Sequence, residues 1–201
     1  DGAVRIEVVQ TTGLSQISPE QFPQTDTTKG LAAPRATQTF AYRYSGGDLR
    51  LRLQADNILP EVTASEVLTY SLGETELAIE AEIELDIREA PVRELMVRAP
   101  PGYAVARLNA SGLSDYFVTD SGSETGLRLV YANPVSGRQL VEIRFERNQA
   151  LGEGTWRLPR VEVLKAKSVR GHVGVAAEAG YRMTPGAVSG LTEVATAFFP
   201  K

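Results

Sequence analysis

The sequence predicts an all-β protein built as a large, predominantly antiparallel β-sandwich. Three observations support this prediction. Residues 76–88 alternate between aliphatic and charged side chains, and turn-forming residues recur at intervals of roughly 8–12 residues. Helical patterning is confined to one candidate, a short C-terminal helix at Leu191–Ala197. A sandwich of this length could extend to a super-sandwich.

The alternation over residues 76–88 is the most informative pattern in the chain. Every odd position from Leu77 to Ile87 is aliphatic, and the even positions are charged except for Ala78. A period of two places the aliphatic side chains on one face of an extended strand. In a helix the same residues would scatter around the whole cylinder. One dry and one solvated face is typical of an antiparallel sheet rather than a βαβ sheet.

Shorter patterns of the same kind predict the remaining strands. Gly46 and Gly47 predict a hairpin between two of them. Pro91 is expected to interrupt the long strand, and residues 133–137 are expected to form a loop. The further predicted strands are Val4–Val9, Thr39–Tyr44, Leu49–Gln54, Val62–Ser71, Val92–Ala99, Tyr103–Leu108, Leu113–Thr119, Leu127–Tyr131, Leu140–Arg147, Arg160–Lys165, Val169–Ala177 and Tyr181–Thr184.

The chain of 201 residues is expected to form a single all-β domain, residues 1–201. A long polar loop is predicted at residues 10–36, which are rich in Thr, Gln, Ser and Pro. A sub-boundary is considered near residues 148–154, where Gly152 and Gly154 interrupt the strand patterns. The segment beyond that boundary is too short to hold a core of its own.

The composition of the chain excludes several classes of partner and of site. The net charge is −4 and the basic residues are dispersed, whereas a nucleic-acid surface needs a concentrated basic patch. No apolar run approaches the roughly 18 residues needed to cross a bilayer, so no transmembrane segment is predicted. The chain contains no cysteine, which excludes disulfides and thiolate ligands. It begins at Asp1 and its only methionines are Met96 and Met183, so we expect a processed product or a piece of a longer protein.

The acidic row Glu80, Glu82, Glu84 and Asp86 is the main candidate for catalysis. Alternate strand residues lie roughly 6.6–7 Å apart, which overlaps the carboxylate separation of inverting glycosidases. Cross-strand ion pairs on a solvated face explain the same row more simply. The single histidine, His172, has no catalytic motif around it. We therefore predict no catalytic residue, no metal site and no cofactor.

Two further features of the sequence are candidate ligand sites. Residues 120–124 place oxygens at alternate positions, as calcium loops do, but they lack the full ligand series and are better explained as a tight turn. Aromatic side chains provide the predicted ligand contacts, since their rings can stack on sugars. Trp156, at a junction between a loop and a strand, is the principal candidate, together with Tyr42, Tyr44 and Tyr103.

Several stretches share a strand pattern, namely Ile83–Ile87, Leu95–Pro100, Val105–Tyr116, Leu127–Tyr131, Val135–Ile143, and Arg170–Val175 with Leu191–Val194. This pattern, over about half of the chain, is similar to β-rich regions of large, poorly characterised bacterial envelope proteins. The resemblance implies an exported and modular protein, and it supplies no catalytic residue.

The function expected from the sequence is that of a non-catalytic structural or binding module of a larger exported bacterial protein. The periplasm or the cell surface is the expected location. The expected partners are neighbouring domains of the same polypeptide, a glycan or another envelope protein. A dedicated carbohydrate-binding module is the first alternative, and a carboxylate-dependent glycan-processing enzyme is the second.

Overall fold

A computed structural model describes residues 3–23, 39–120, 125–152 and 154–200. These residues form eleven β-strands and two single turns of 3₁₀ helix, at Pro19–Gln21 and Thr196–Phe198. The predicted all-β class is therefore confirmed, and the helix predicted near the C-terminus is limited to the second 3₁₀ turn. Contacts divide the chain into two compact units, one spanning Ala3–Ile58 and the other Leu59–Lys201 with Asp1–Gly2. The prediction that residues 1–201 form one domain stays a prediction.

The first unit consists of two-stranded antiparallel ribbons. Its strands are β1 (Ala3–Thr12), β2 (Ser15–Ile17), β3 (Ala41–Arg43) and β4 (Arg50–Ile58). β1 pairs with β4, and β2 pairs with β3. The hairpin predicted at Gly46–Gly47 is therefore wrong, because the strands on either side of it bind other partners.

The long polar loop predicted at residues 10–36 is wrong in its first part. β1 continues to Thr12, and β2 follows after a turn at Gly13, whose φ is +68°. Both faces of a two-stranded ribbon are exposed to solvent. Its strands can therefore consist of Thr, Gln and Ser and need no alternation of apolar and polar residues. Residues 24–36 lie outside the part of the chain that the structure describes.

The ribbon of β1 and β4 has one apolar face. Directly paired residues share a face, so Val4, Ile6 and Val8 lie together with Leu51 and Leu53. Val4 is 56% exposed and Leu53 is 49% exposed. The opposite face carries arginine, glutamate and glutamine side chains. This ribbon is amphipathic, and its apolar side chains remain largely in contact with water.

The second unit contains the hydrophobic core. Its strands are β5 (Glu61–Leu72), β6 (Leu77–Ala99), β7 (Ala104–Ala110), β8 (Leu113–Asp120), β9 (Thr125–Arg147), β10 (Glu162–Val163) and β11 (Ser168–Ala177). The strand order is β11-β5-β6-β9-β7, with β10 also paired to β6 and β8 also paired to β9. All pairs are antiparallel except β11 with β5. The strand predicted at Arg160–Lys165 is wrong in extent, since only Glu162–Val163 is strand, and the strand predicted at Tyr181–Thr184 is wrong.

β6 and β9 are each 23 residues long and run side by side through a bulged corner. The breaks predicted at Pro91 and at residues 133–137 are wrong, because both segments stay within these strands. Residues 87–94 of β6 face residues 130–137 of β9, so both strands contribute the same length to the corner. Bulges bend a strand and increase its twist. Pro91 is tolerated because a bulge does not require every ladder hydrogen bond.

The corner changes which side chains point inward. In β6 the buried positions are odd from Ile79 to Ile87, even at Ala90 and Val92, and odd again from Leu95. Glu89 lies within the first shift and has a left-handed φ of 65°. Each bulge shifts the alternation by one residue, and the second shift reverses the first. The strand therefore keeps an apolar face toward the core on both sides of the corner.

Both halves of the bent sheet contribute to one core. Ile79, Ile83 and Phe145 from one half belong to the same buried cluster as Leu127 and Leu129 from the other. Sheets that pack face to face can share strands which pass from one layer to the other through bulges. The two halves therefore form the layers of the predicted antiparallel β-sandwich.

Glycines in β11 allow it to pack closely. A Cβ atom on Gly171 would collide with the backbone oxygen of Glu66 in the neighbouring strand. A Cβ on Gly174 would lie 2.9 Å from the ring of Phe199. These glycines weaken the strand pattern in the sequence, but they permit the parallel pairing and the return of the C-terminal segment.

We predict that Glu89→Gly stabilises the protein by roughly 0.5–1 kcal/mol, because a left-handed φ strains a residue with a Cβ and is free of strain for glycine. Urea denaturation measures the change. Arg93→Gly is the matched control, an exposed residue of the same strand outside the left-handed region, and it should lose about 1 kcal/mol. A loss of similar size in both variants would contradict the conformation at the corner.

Candidate functional site

A cleft of about 330 Å³ in the second unit brings two of the predicted ligand-binding residues together. It is lined by Tyr103, Trp156, Arg147, Arg157 and Gln149, with apolar side chains between them. Among the described residues that line it, none carries a carboxylate. We call this the Trp156 cleft.

A turn positions Tyr103, and a ring contact with β5 positions Trp156. Tyr103 follows the Pro100–Gly102 turn, and its backbone N–H donates to the Pro100 carbonyl at 3.3 Å. Trp156 packs edge-on against Tyr70, with ring centroids 5.8 Å apart and an interplanar angle of 71°. The segment beyond Trp156 is tied down by Tyr70, whose hydroxyl donates to the Pro159 carbonyl at 2.6 Å. Burial raises the pKa of Tyr70, so its hydroxyl keeps the proton that it donates.

The electrostatics of the cleft favour electron-rich ligands. The Arg147 guanidinium lies 6.0 Å from the centroid of the Tyr103 ring, within the range of a cation–π contact. Burial raises the pKa of Tyr103, although Arg147 acts in the opposite direction. Tyr103 is therefore a neutral hydrogen-bond donor at physiological pH, beside cationic groups from Arg147 and Arg157.

The other predicted aromatic residues lie in the first unit. Tyr42 belongs to β3 and is partly buried, and its hydroxyl has no hydrogen-bond partner among the described residues. Tyr44 follows that strand and is 63% exposed. Neither lines the Trp156 cleft, and their role in ligand binding stays a prediction, as does that of Tyr103 and Trp156.

The acidic row on β6 is engaged with arginines. The Arg144 guanidinium donates to Glu80 at 2.6 Å and to Glu76 at 3.1 Å, and it also binds Glu146. Hydrogen bonds to Glu146 and Glu80 raise the pKa of Arg144. Glu80 has a second partner in Arg107 at 3.3 Å.

The rest of the row has the same character. Asp86 accepts a hydrogen bond from Arg88 at 2.8 Å, which lowers the pKa of Asp86. Glu84 lies 3.7 Å from Arg138, while Glu82 is exposed. These contacts match the interpretation of the row as an ion-paired, solvated face.

The remaining candidates from the sequence contribute little to a site. His172 is exposed, and its ring lies edge-on to Phe199 at 6.3 Å. Residues 121–124 of the considered calcium loop lie outside the described part of the chain. Within the described part, no cluster of histidine, aspartate or glutamate is placed to hold a metal ion, and no helix is long and apolar enough to span a membrane.

Glu66, a buried carboxyl group in the core, was not predicted from the sequence. Glu66 is 6% exposed, and one of its oxygens accepts a hydrogen bond from the backbone N–H of Val163 at 3.2 Å. Burial raises the pKa of Glu66, with a smaller opposing effect from the Val163 hydrogen bond. The signal was available, because Glu66 shares its parity with Ala64 and Leu68, which also point inward.

Comparisons with known proteins give only partial matches. No protein-family model and no curated protein matches the chain. The M1 zinc metallopeptidase from Deinococcus radiodurans matches with a TM-score of 0.33 and 14% identity, over 50% of this chain and 24% of its own. The chain thus spans about a quarter of that peptidase.

Two cohesins match over more of their own length. The non-cellulosomal cohesin from Archaeoglobus fulgidus has a TM-score of 0.34 and 13% identity, over 58% of this chain and 91% of its own. The seventh ScaB type I cohesin from Pseudobacteroides cellulosolvens has a TM-score of 0.31 and 12% identity, over 61% of this chain and 98% of its own. Matches at this level assign neither a family nor an activity.

We predict that Glu66→Gln is more stable than the wild type at neutral pH, with a difference that narrows on acidification. A raised pKa means that the folded state binds its proton more tightly than the unfolded state. Stability is therefore lost as the pH rises from the ordinary value of 4.5 through the raised pKa. Glutamine keeps an oxygen for the Val163 hydrogen bond and carries no charge. Urea denaturation across pH 4–8 measures the difference.

Asp86→Asn provides a control of opposite sign for that experiment. Arg88 lowers the pKa of Asp86, so this pair stabilises the fold above the ordinary pKa of aspartate and loses its effect as the pH falls. The variant should therefore be less stable than the wild type at neutral pH and approach it in acid. A Glu66→Gln difference that is constant with pH would contradict the burial of an ionisable group there.

Proposed function

We propose that this chain is a non-catalytic binding module that binds a glycan in the Trp156 cleft. The observation that supports this proposal is the association of an indole, a phenol, two guanidinium groups and an amide in one concavity. Aromatic rings offer flat apolar surfaces to sugar rings, while arginine and glutamine side chains donate hydrogen bonds to hydroxyl and carboxylate oxygens.

The charge of the cleft favours an acidic glycan over a neutral one. Arg147 and Arg157 are cationic at any physiological pH, and the described lining offers no carboxylate to neutralise them. A sugar that carries a carboxylate would accept charge-assisted hydrogen bonds from a guanidinium while its ring lies against Trp156 or Tyr103.

The state of the acidic row supports a module without catalysis. A carboxyl group that acts as general acid near neutral pH needs a raised pKa, whereas Arg88 lowers the pKa of Asp86. Glu80 is bridged by Arg107 and Arg144. Carboxylates paired in this way stabilise a sheet face, and its lowered pKa makes Asp86 poorly suited to donate a proton.

The wider context is part of the same proposal. We infer a larger exported bacterial protein, placed in the periplasm or at the cell surface, in which this module lies beside neighbouring domains. The resemblance of its strand patterns to β-rich regions of bacterial envelope proteins supports this context. Other envelope proteins are further partners in this setting.

We predict that the module binds oligosaccharides containing uronic acids more tightly than neutral oligosaccharides of the same length. Isothermal titration calorimetry with matched pairs measures both affinities. Trp156→Ala and Tyr103→Ala should each weaken binding at least tenfold, which is about 1.4 kcal/mol. Arg147→Gln should remove the preference for the acidic sugar while retaining weak binding to the neutral one.

Phe198→Ala is the matched control, since this exposed aromatic residue does not line the cleft and the affinity should stay unchanged. Thermal unfolding of each variant verifies that it is folded, because Trp156 also packs on Tyr70. The proposal fails if folded wild-type protein binds none of the oligosaccharides, or if Trp156→Ala binds them as tightly as the wild type.

A further inference from the structure

β8 is an edge strand with an open side. β7 and β8 follow each other along the same side of β9, and among the described residues β8 pairs with β9 alone. Every second N–H and C=O group of an edge strand points away from its sheet and offers hydrogen bonds to another strand. β8 spans Leu113–Asp120, which is long enough for such pairing.

The side chains of this edge are apolar at its centre. Tyr116, Phe117 and Val118 are 39%, 42% and 54% exposed. Natural edge strands are commonly protected by lysine, proline or a covering element. β8 contains neither lysine nor proline. The charged residues of this edge, Asp115 and Asp120, flank its apolar centre, so the centre itself lacks the side chains that usually prevent strand addition.

Two of the exposed side chains of β8 lie on the same side of the sheet as the core. Tyr116 lies opposite Leu129, and Val118 lies opposite Leu127. Both leucines are fully buried, and directly opposed residues share a face of the sheet. Tyr116 and Val118 thus project on the core side of the sheet, at the rim where the apolar layer ends. An added strand would extend that layer if its own apolar residues faced the same side.

On the other face, Phe117 is held against a cation. It lies opposite Arg128, whose guanidinium is 4.7 Å from the centroid of the phenylalanine ring. Arg128 is also 3.6 Å from Glu94 on β6. The ring of Phe117 is therefore anchored beside the edge, and its outer side remains available for contact.

We propose that β8 pairs antiparallel with β8 of a second copy of this chain, with Phe117 opposite Phe117 of that copy. A two-fold interface requires a patch that complements itself, and β8 does so in this register. Tyr116 faces Val118, an aromatic residue opposite a β-branched one. Asp115 faces Thr119, so its carboxylate meets a hydroxyl group. The apolar rims of both copies then lie on the same side of one continuous sheet.

The net charge sets a condition on this association. Each copy carries a net charge of −4, so two copies repel each other weakly at long range. Salt screens this repulsion, and burial of Tyr116 and Val118 depends on the hydrophobic effect. The dimer should therefore become stronger as sodium chloride is added, unlike an interface that is held by ion pairs.

Sedimentation velocity over a range of protein concentrations tests the association. We expect the wild type to dimerise and Val118→Lys to raise the dimer dissociation constant at least tenfold, because a lysine on the core side opposes strand addition. Tyr116→Lys is a second variant with the same expected effect. Val175→Lys is the matched control, since Val175 is 41% exposed on the edge strand β11 and its dimer should be unchanged.

Cysteine cross-linking tests the register, since the chain has no cysteine of its own. Directly opposed residues in antiparallel strands have Cα atoms about 4.5–5.5 Å apart, within reach of a disulfide. Phe117→Cys should therefore form a linked dimer under mild oxidation. Thr119→Cys is the control, because the two copies of residue 119 would lie about 13 Å apart along the strands.

Three outcomes would overturn the proposal. One is a wild type that stays monomeric throughout the micromolar range. Another is a dimer that survives both lysine substitutions on β8 or that is lost in Val175→Lys. The third is equal cross-linking of Phe117→Cys and Thr119→Cys in protein whose thermal unfolding shows that it is folded.

Discussion

The bulged corner shared by β6 and β9 is the constraint on which the rest of the sandwich depends. Two strands of 23 residues cannot remain in one flat layer and still bury an apolar face on each side of a core. The bulges bend both strands at the same place, and their two shifts of the alternation in β6 cancel, so Ile83 and Leu95 both reach the core. Because the register is the same before and after the corner, hydrogen bonding resumes in the second layer.

The position of each side chain in this bent sheet determines whether it is buried in the core or exposed at the surface. The sheet buries the odd residues of the first half of β6, whereas Glu80 and Glu84 at even positions pair with arginines on β9 and β7. Arg144 of β9 binds Glu80 of β6 in this way. Glu66 differs from these acidic residues because its carboxyl group lies in the core. Among the described residues, the backbone N–H of Val163 is its hydrogen-bond donor. A buried acid costs stability, which makes Glu66 a sensitive reporter of how closely β10 packs against β5.

Much of the fold could be predicted from the sequence, because it depends on local alternation. The first half of β6 and the last third of β9 both alternate in charge and hydrophobicity, and both are strands. Residues 88–92 could not be interpreted in this way, since Pro91 breaks the pattern and only the partner strand keeps the segment in the sheet. The pairing of β4 with β1 was also inaccessible, because Gly46–Gly47 favours the nearest neighbour while tertiary contacts select a distant one.

The candidate site was predictable only in part, for the same reason. Trp156 was singled out by its position at a junction, whereas Tyr103 was only one of several aromatic residues whose rings can stack on sugars. Their meeting in one cleft with Arg147 depends on how the end of β9 and the segment after it pass Tyr70. These residues are separated by many positions in the chain, and no local pattern records their proximity.

Hydrogen exchange of the backbone amides under native conditions, followed across a series of low urea concentrations, tests the central role of the corner most directly. If β6 and β9 are continuous through it, amides in Ile79–Leu85 and in Leu95–Val97 should exchange with the same free energy, equal to that of global unfolding. The account would be contradicted if amides in Leu95–Val97 exchanged through a separate opening of lower free energy while those in Ile79–Leu85 remained protected.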